Sequence, residues 1–200
     1  MSRVVKLAGA AAGGSAGLST ADVTSLISTK GEWEYVDKYS LAASSSGFTI
    51  DGFDMATYRG YKIIYDDFNP GGNQNVAFRV RKAGGDFVSN NSFTMHLHGH
   101  NFVTSRGSTS SDIYWNANES WGGDSNDRMQ SEIEIFQPVG SYNTYYGYAK
   151  ISQKLDGGYH STHAEGNFIG TRGSDDVVGI ALQHTWSSGD AYLYRTLRRT

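Results

Sequence analysis

Hydrophobic and polar residues alternate along most of the chain from Trp33 onward. In the segment NVAFRVRK, Phe78 and Val80 fall on one face of an extended strand and Arg79 on the other, because successive side chains of a strand point to opposite faces. The segment QSEIEIFQ alternates isoleucine with glutamate in the same way. Such segments predict half-buried β-strands. Further candidates are EWEYVDKY, RGYKIIYDDF, FTMHLHGHNF, YYGYAKIS, HSTHAEGNFIG, VVGIALQH and AYLYRTL.

Turn signals rich in glycine separate these segments, namely NPGGN, KAGGD, WGGDSND, LDGG, RGSDD and SSGD. The chain contains 25 glycines, 13 tyrosines and 9 phenylalanines but only 2 prolines, which suits many short strands joined by tight turns. About nine strands with little helix between them predict an all-β domain. We expect an antiparallel two-sheet sandwich of jelly-roll type.

The composition changes near Gly31, from alanine, glycine and serine to alternating aromatic residues. We therefore predict an N-terminal arm at residues 1–30 and a β-sandwich domain at residues 31–200. The segment LSTADVTSLISTKG predicts one short helix within the arm, since Ser19 and Asp22 have capping-box spacing. This helix either docks on the β-domain or serves attachment and oligomerisation. The apolar residues assigned to the second role are Leu18, Val23, Leu26 and Ile27.

Charge and cysteine content exclude several classes of function. A formal charge of −3 provides no general basic field for a nucleic-acid backbone, so we expect no nucleic-acid partner. No apolar run approaches the roughly 18 residues of a membrane-spanning helix, so we expect no membrane span. With 0 cysteines, disulfides, thiolate catalysis and cysteine-ligated metals are excluded.

The segment FTMHLHGHNF places histidines on alternate positions of a predicted strand. His96 and His98 are roughly 6.6 Å apart along such a strand, close enough to share one zinc-like ion. His160 and His163 in the segment HSTH provide further ligands if the two strands pair, with Glu165 close by. The simpler interpretation is that these histidines are the polar, outward positions of an ordinary amphipathic strand. We adopt the simpler one and predict no cofactor.

Aromatic residues flank polar turns in the segments IYWNANESW and SYNTYYGY. Sugar rings stack on exposed aromatic rings, while asparagine and aspartate bond to sugar hydroxyls. Tyrosine is also enriched at protein interfaces, and burial in the core is a third use. The candidates for glycan or interface contact are Tyr114, Trp115, Trp121, Tyr145 and Tyr146.

Catalytic groups are sparse. Glu132 and Glu134 lie on one face of a predicted strand, whereas glycoside hydrolysis needs two carboxyl groups that face each other across a substrate. We interpret both as solvated charges that face Arg79 and Arg81 on another strand. The sequence has no nucleophile elbow, phosphate loop or dinucleotide fingerprint, so no catalytic residue is predicted.

The order of segments over residues 18–197 resembles a known family. The short helix GLSTADVTSLI, the stretch YRGYKIIYDDFNPGGNQNVAFRVR and the closing VVGIALQHTWSSGDAYLYRTL are similar to small structural proteins of tailed bacteriophages. The similarity is greatest to fibre-like and decoration proteins of marine and cyanobacterial phages. It implies a jelly-roll-like β-domain, a non-enzymatic role in the particle and attachment through the N-terminal segment. It also implies a location in the virion, assembled in the host cytoplasm, with other virion proteins as partners.

Three hypotheses follow from these patterns. The first is a non-enzymatic virion protein that decorates the capsid or belongs to a fibre or tail appendage, with host-surface glycan as a further partner. We expect it to form a homo-oligomer, because symmetric assembly is the rule for such proteins, and specifically a trimer. The second is a carbohydrate-binding β-sandwich module. The third is a metal-dependent enzyme built on His96, His98 and either His160 or His163.

Overall fold

The structure is a computed structural model that describes residues 33–42, 45–70, 77–84, 88, 90–98, 103–110, 112–114, 128–138, 144–154, 161–173 and 175–197. All of these residues belong to one compact unit, Trp33–Thr200. The predicted arm at residues 1–30 lies outside the described residues, and so does its short helix with Leu18, Val23, Leu26 and Ile27. Trp115, Trp121 and His160 also lie outside them.

The described residues form β-strands and no helix, so the predicted all-β class is confirmed. Within these ranges no helix is therefore long and apolar enough to cross a membrane. The strands are β1 Glu34–Leu41, β2 Ser45–Asp51, β3 Tyr58–Pro70, β4 Ala77–Lys82, β5 Asn90–His98, β6 Val103–Ser110, β7 Ile113–Tyr114, β8 Arg128–Phe136, β9 Thr144–Lys154, β10 Ser161–Thr171 and β11 Val177–Leu197.

All these strands belong to one antiparallel, hydrogen-bonded sheet. Its order is β6-β5-β10-β9-β8-β3-β11-β4-β7, and β1 and β2 both pair with β11. The predicted two-sheet jelly roll is not confirmed, because the strands form a single curled sheet instead of two separate ones.

The long strand β11 lies between two pairs of partners. Its first half pairs with β2 and β4, and its second half pairs with β1 and β3. The turn predicted at SSGD is wrong, because β11 continues through it as one strand of 21 residues. The register with β3 shifts there, and Gly189 has a φ of 148°. A Cβ at Gly189 would lie 2.3 Å from Cδ2 of Phe68, so this bulge needs glycine.

The curl of the sheet encloses a core between strands that are not neighbours. The ring of Phe48 on β2 lies 5.1 Å from that of Phe68 on β3, although β11 runs between these strands. Phe78 on β4 packs against Phe168 on β10. Burial of such large apolar surfaces is the main force that holds the sheet in its curled form. The largest fully buried side chains are Trp186, Tyr65, Tyr145, Phe68, Phe78, Ile50, Met55, Ile63, Ile113 and Met129.

Candidate functional site

The sheet has a core-facing side and an opposite side, which we call the outer face. Burial alternates along β8, where Ile133 and Ile135 are buried and Glu132 and Glu134 are partly exposed. The period of two places the glutamates on the outer face. The register between β3, β8, β9 and β10 then aligns their outer-face residues in rows across the sheet.

One of these rows is apolar and consists of Phe136, Tyr146 and Ile169 on β8, β9 and β10. Together with Trp33, whose ring contacts that of Phe136, we call it the aromatic row. The ring of Phe136 lies 5.8 Å from that of Trp33 and 5.5 Å from that of Tyr146, on which it stacks at 21°. Tyr146 pairs in register with Ile169 on β10. Tyr146 is 46% exposed and Ile169 49%, so the row ends in adjacent apolar side chains that face solvent.

Glycine on β3 makes room for the aromatic row. Gly60 pairs in register with Phe136, and a Cβ at Gly60 would lie 2.5 Å from Cδ1 of that ring. The ring therefore lies flat across the neighbouring strand instead of projecting into solvent. A further ring contact joins Tyr35 on β1 to Tyr194 on β11, at 5.7 Å, and Tyr35 is 53% exposed.

Beside the aromatic row runs a set of ion pairs, the charge ladder: Lys62, Glu132, Glu134 and Lys150. Nζ of Lys62 lies 3.1 Å from Glu132 and 2.7 Å from Glu134, and Nζ of Lys150 lies 2.5 Å from Glu132. Lys62 also lies over the ring of Trp33, 4.9 Å from its centroid, which links the ladder to the aromatic row.

The ladder corrects the predicted partners of the two glutamates. Arg79 and Arg81 lie on β4, which is not a neighbour of β8. Arg79 pairs instead with Asp112, and Arg81 with Asp51. The glutamates contact Lys62 and Lys150 because β3 and β9 are the neighbours of β8. The alternation of the sequence does not reveal this strand order.

The ladder shifts the pKa values of two of its members, Glu132 and Lys62. Burial acts to raise the pKa of Glu132, but hydrogen bonds and charge from Lys150 and Lys62 outweigh it, so the pKa is lowered. Burial likewise acts to lower the pKa of Lys62, and the two glutamates raise it by more. Both shifts favour the charged forms, so Glu132 and Lys62 stay ionised at neutral pH.

Next to the ladder, the hydroxyl of Tyr148 donates a 2.8 Å hydrogen bond to Oε2 of Glu165. Burial, followed by this bond and the nearby glutamates, raises the pKa of Tyr148 to about 12. The phenol therefore keeps its proton at neutral pH and acts as a fixed donor to the carboxylate.

The histidine-bearing strands predicted from the sequence are neighbours in the sheet. Strand β5 pairs with β10, with His98 opposite His163 and His96 opposite Glu165. The structure describes the backbone of these histidines. Among the side chains that it describes, no group of three histidine, aspartate or glutamate residues is arranged to hold a metal ion.

The predicted aromatic candidates divide by position. Tyr145 is a core residue with a fully buried ring, which corrects its assignment to a glycan or interface contact, because its side chain lies on the core side of β9. Its neighbour Tyr146 lies on the outer face and is exposed, and of Tyr114 the structure describes the backbone. Sequence reasoning missed Phe136 and Ile169, although both occupy alternating positions of predicted strands.

No protein-family profile matches the chain, and no curated protein matches it. Among solved structures, the chain is similar to a homodimeric agglutinin from chicken liver. The identity is 12% and the TM-score 0.33, over 74% of this chain and 98% of the agglutinin. A similarity at this level supports no conclusion about the fold or function of this chain.

Proposed function

We propose that this chain is a non-enzymatic structural protein of a bacteriophage particle, and that it assembles through the outer face of its sheet. Two lines of reasoning support this: the resemblance of its segment order to phage fibre-like and decoration proteins, and the character of the outer face. In this proposal the curled sheet corresponds to the jelly-roll-like domain that the resemblance implies, and residues 1–30 attach it to the particle.

The observation that carries the proposal is the exposed end of the aromatic row. Tyr146 and Ile169 are adjacent in register and about half exposed, and the ring of Phe136 stacks on that of Tyr146. Covering apolar surface is worth about 25 cal/mol per Å². Side chains already held by neighbouring side chains of a sheet also lose little conformational entropy when a partner covers them. Both effects favour association at this surface.

The charge ladder makes the same face suitable for burial. Covering an unpaired charge is costly, because the charge loses its water without gaining a partner. Glu132 already contacts both Lys62 and Lys150 within the chain. A partner that covers the aromatic row therefore meets a ladder whose charges largely neutralise one another.

The partner that we propose is a second copy of the chain, in a closed homo-oligomer for which we predict three copies, together with other virion proteins. The test is the solution mass by light scattering after size exclusion. We expect the full chain to show a multiple of its 21.8 kDa mass, and the double variant Tyr146→Ser, Ile169→Ser to show the single-chain mass. Thr49→Ser, an exposed position on β2, a strand that contributes no residue to the aromatic row, is the control and keeps the oligomer. A double variant that keeps the wild-type oligomer contradicts the proposal.

A second candidate function is carbohydrate binding at the same face. The exposed ring of Tyr146 favours it, because sugar rings stack on such rings. Tyr148 and the exposed Asn167 are paired in register two residues further along the same strands, and their polar groups suit sugar hydroxyls. A glycan-array experiment with the full chain and with Tyr146→Ala separates the candidates. Binding that disappears in Tyr146→Ala while the oligomer persists favours the carbohydrate-binding module over assembly.

A further inference from the structure

The pairing of β5 with β10 brings metal-ligating residue types from two distant segments into one small area. His98 lies opposite His163, and His96 lies opposite Glu165, two residues further along. Because positions i and i+2 of a strand share a face, and so do directly opposed residues of an antiparallel pair, these positions lie on one face of the sheet.

We propose that this part of the β5–β10 pair binds one divalent transition-metal ion of the zinc class. The positions that supply its ligands are His96, His98, His163 and Glu165. Three imidazoles and a carboxylate form a ligand set suited to zinc, and imidazole ligation also suits copper and nickel. This inference does not rest on the proposed role in assembly.

The spacing of the backbone fits one shared ion. Directly opposed residues of an antiparallel pair have Cβ atoms about 5 Å apart. Residues two apart on one strand are separated by about 6.7 Å along its axis. The four positions thus form a rectangle of those dimensions, and zinc–nitrogen bonds of about 2 Å allow ligands from its corners to converge on one ion.

Glu165 has the support that metal-binding carboxylates commonly have. One of its oxygens accepts a 2.8 Å hydrogen bond from the hydroxyl of Tyr148, on the adjacent strand β9. Such outer hydrogen bonds orient a ligating carboxylate and contribute to metal affinity.

The test is isothermal titration calorimetry of the full chain with zinc chloride at pH 7.5. We expect one zinc ion per chain, and at least a tenfold loss of affinity in each of the variants His98→Ala and His163→Ala. His184→Ala is the matched control and keeps the wild-type affinity, because it removes a histidine from β11, which β9, β8 and β3 separate from β10 in the sheet. Removing Tyr148's hydroxyl in Tyr148→Phe should lower the affinity by a factor of about 10.

A second measurement guards against variants that merely unfold. Without metal, all variants should melt near the wild-type temperature. Added zinc should raise the melting temperature of the wild type and of His184→Ala, because a ligand that binds only the folded state stabilises it. At the same zinc concentration the melting temperature of His98→Ala should rise by less than that of the wild type, and a chelator should reverse the shift. The proposal is overturned if the wild type binds no zinc, or if His98→Ala and His163→Ala bind it as the wild type does.

Discussion

The rings of Phe78 and Phe168 lie 5.1 Å apart at an interplanar angle of 72°, although β9, β8, β3 and β11 separate their strands in the sheet. In a flat sheet, strands five positions apart would be about 24 Å from each other. The contact is therefore a direct consequence of the curl. Phe168 also lies over Gly147, where a Cβ would be 2.2 Å from its Cζ, so the ring depends on glycine at the opposed position.

We predict that Phe168→Ala lowers the free energy of unfolding by about 3–5 kcal/mol, because it leaves a cavity where the sheet closes on itself. Phe78→Ala should cost a similar amount. In a double-mutant cycle measured by denaturant unfolding, we expect a coupling of about 0.5–1.5 kcal/mol between the rings. Thr171→Ala, at an exposed position on the same strand as Phe168, is the control, with a change within about 0.5 kcal/mol. Strictly additive effects of the two phenylalanines would show that the rings do not touch.

A second prediction concerns the bulge in β11. Gly189→Ala forces a Cβ against Phe68 at a backbone angle that favours glycine, and should cost about 3 kcal/mol or more. Gly52→Ala is the matched control, since Gly52 also has a positive φ, of 92°, but no atom lies within 4 Å of its added Cβ. That variant should cost only the backbone strain, about 1–2 kcal/mol. Equal losses in thermal or denaturant unfolding would mean that Phe68 does not occupy this space.

The charge ladder predicts a specific dependence of stability on pH. The pKa of Glu132 is lowered in the folded chain, so its contribution is complete above its ordinary value of 4.5 and is lost as the pH falls through the folded value. Glu132→Gln should therefore cost about 1 kcal/mol at neutral pH. The gap between wild type and variant should narrow as the pH falls below 4.5 and close once the pH is below the lowered pKa of the folded chain.

Denaturant unfolding at a series of pH values measures this gap. Thr49→Ala, an exposed and uncharged position on β2, should change stability equally at every pH. A gap between wild type and Glu132→Gln that stays constant down to pH 2 would show that the lysines do not hold this carboxylate in its charged form.

The predicted division of the chain leads to a further experiment. A chain that starts at Gly31 should fold, as judged by cooperative thermal unfolding, because every described residue lies in the unit Trp33–Thr200. If residues 1–30 attach the protein to the particle, this shortened chain should fail to bind assembled particles that the full chain binds. A shortened chain that does not fold would show instead that the arm belongs to the core.

Period-two alternation predicted most of the strands, because it reports which side chains face a core. It placed β3, β4, β8, β9 and β10 within a few residues of their observed bounds. It missed β2 and β6, whose segments SSGFTID and VTSRGSTS have glycine and serine where large apolar residues would mark a strand. It also divided β11 at SSGD, since a glycine in a bulge gives the same local signal as a glycine in a turn.

The candidate site depended on strand order, which alternation does not contain. The sequence indicated that Glu132 and Glu134 face outward, but their lysine partners follow from β3 and β9 lying on either side of β8. The same holds for the apolar pair Tyr146 and Ile169, which come from the two strands β9 and β10 and meet only through their register. From the sequence, a shared site for His98 and His163 could be stated only on the condition that their strands pair. The register of β5 with β10 shows that the two residues are directly opposed.

The most direct test of the proposed role is the chemical accessibility of the outer face in the assembled protein. Because the chain has 0 cysteines, Ile169→Cys provides a single thiol on that face, and Ala56→Cys provides one in an exposed turn. At concentrations where light scattering shows the oligomer, we predict that a maleimide labels Cys-bearing Ile169→Cys several-fold more slowly than Ala56→Cys, and that dilution to single chains removes the difference. Equal labelling rates in the intact oligomer would contradict assembly through the outer face.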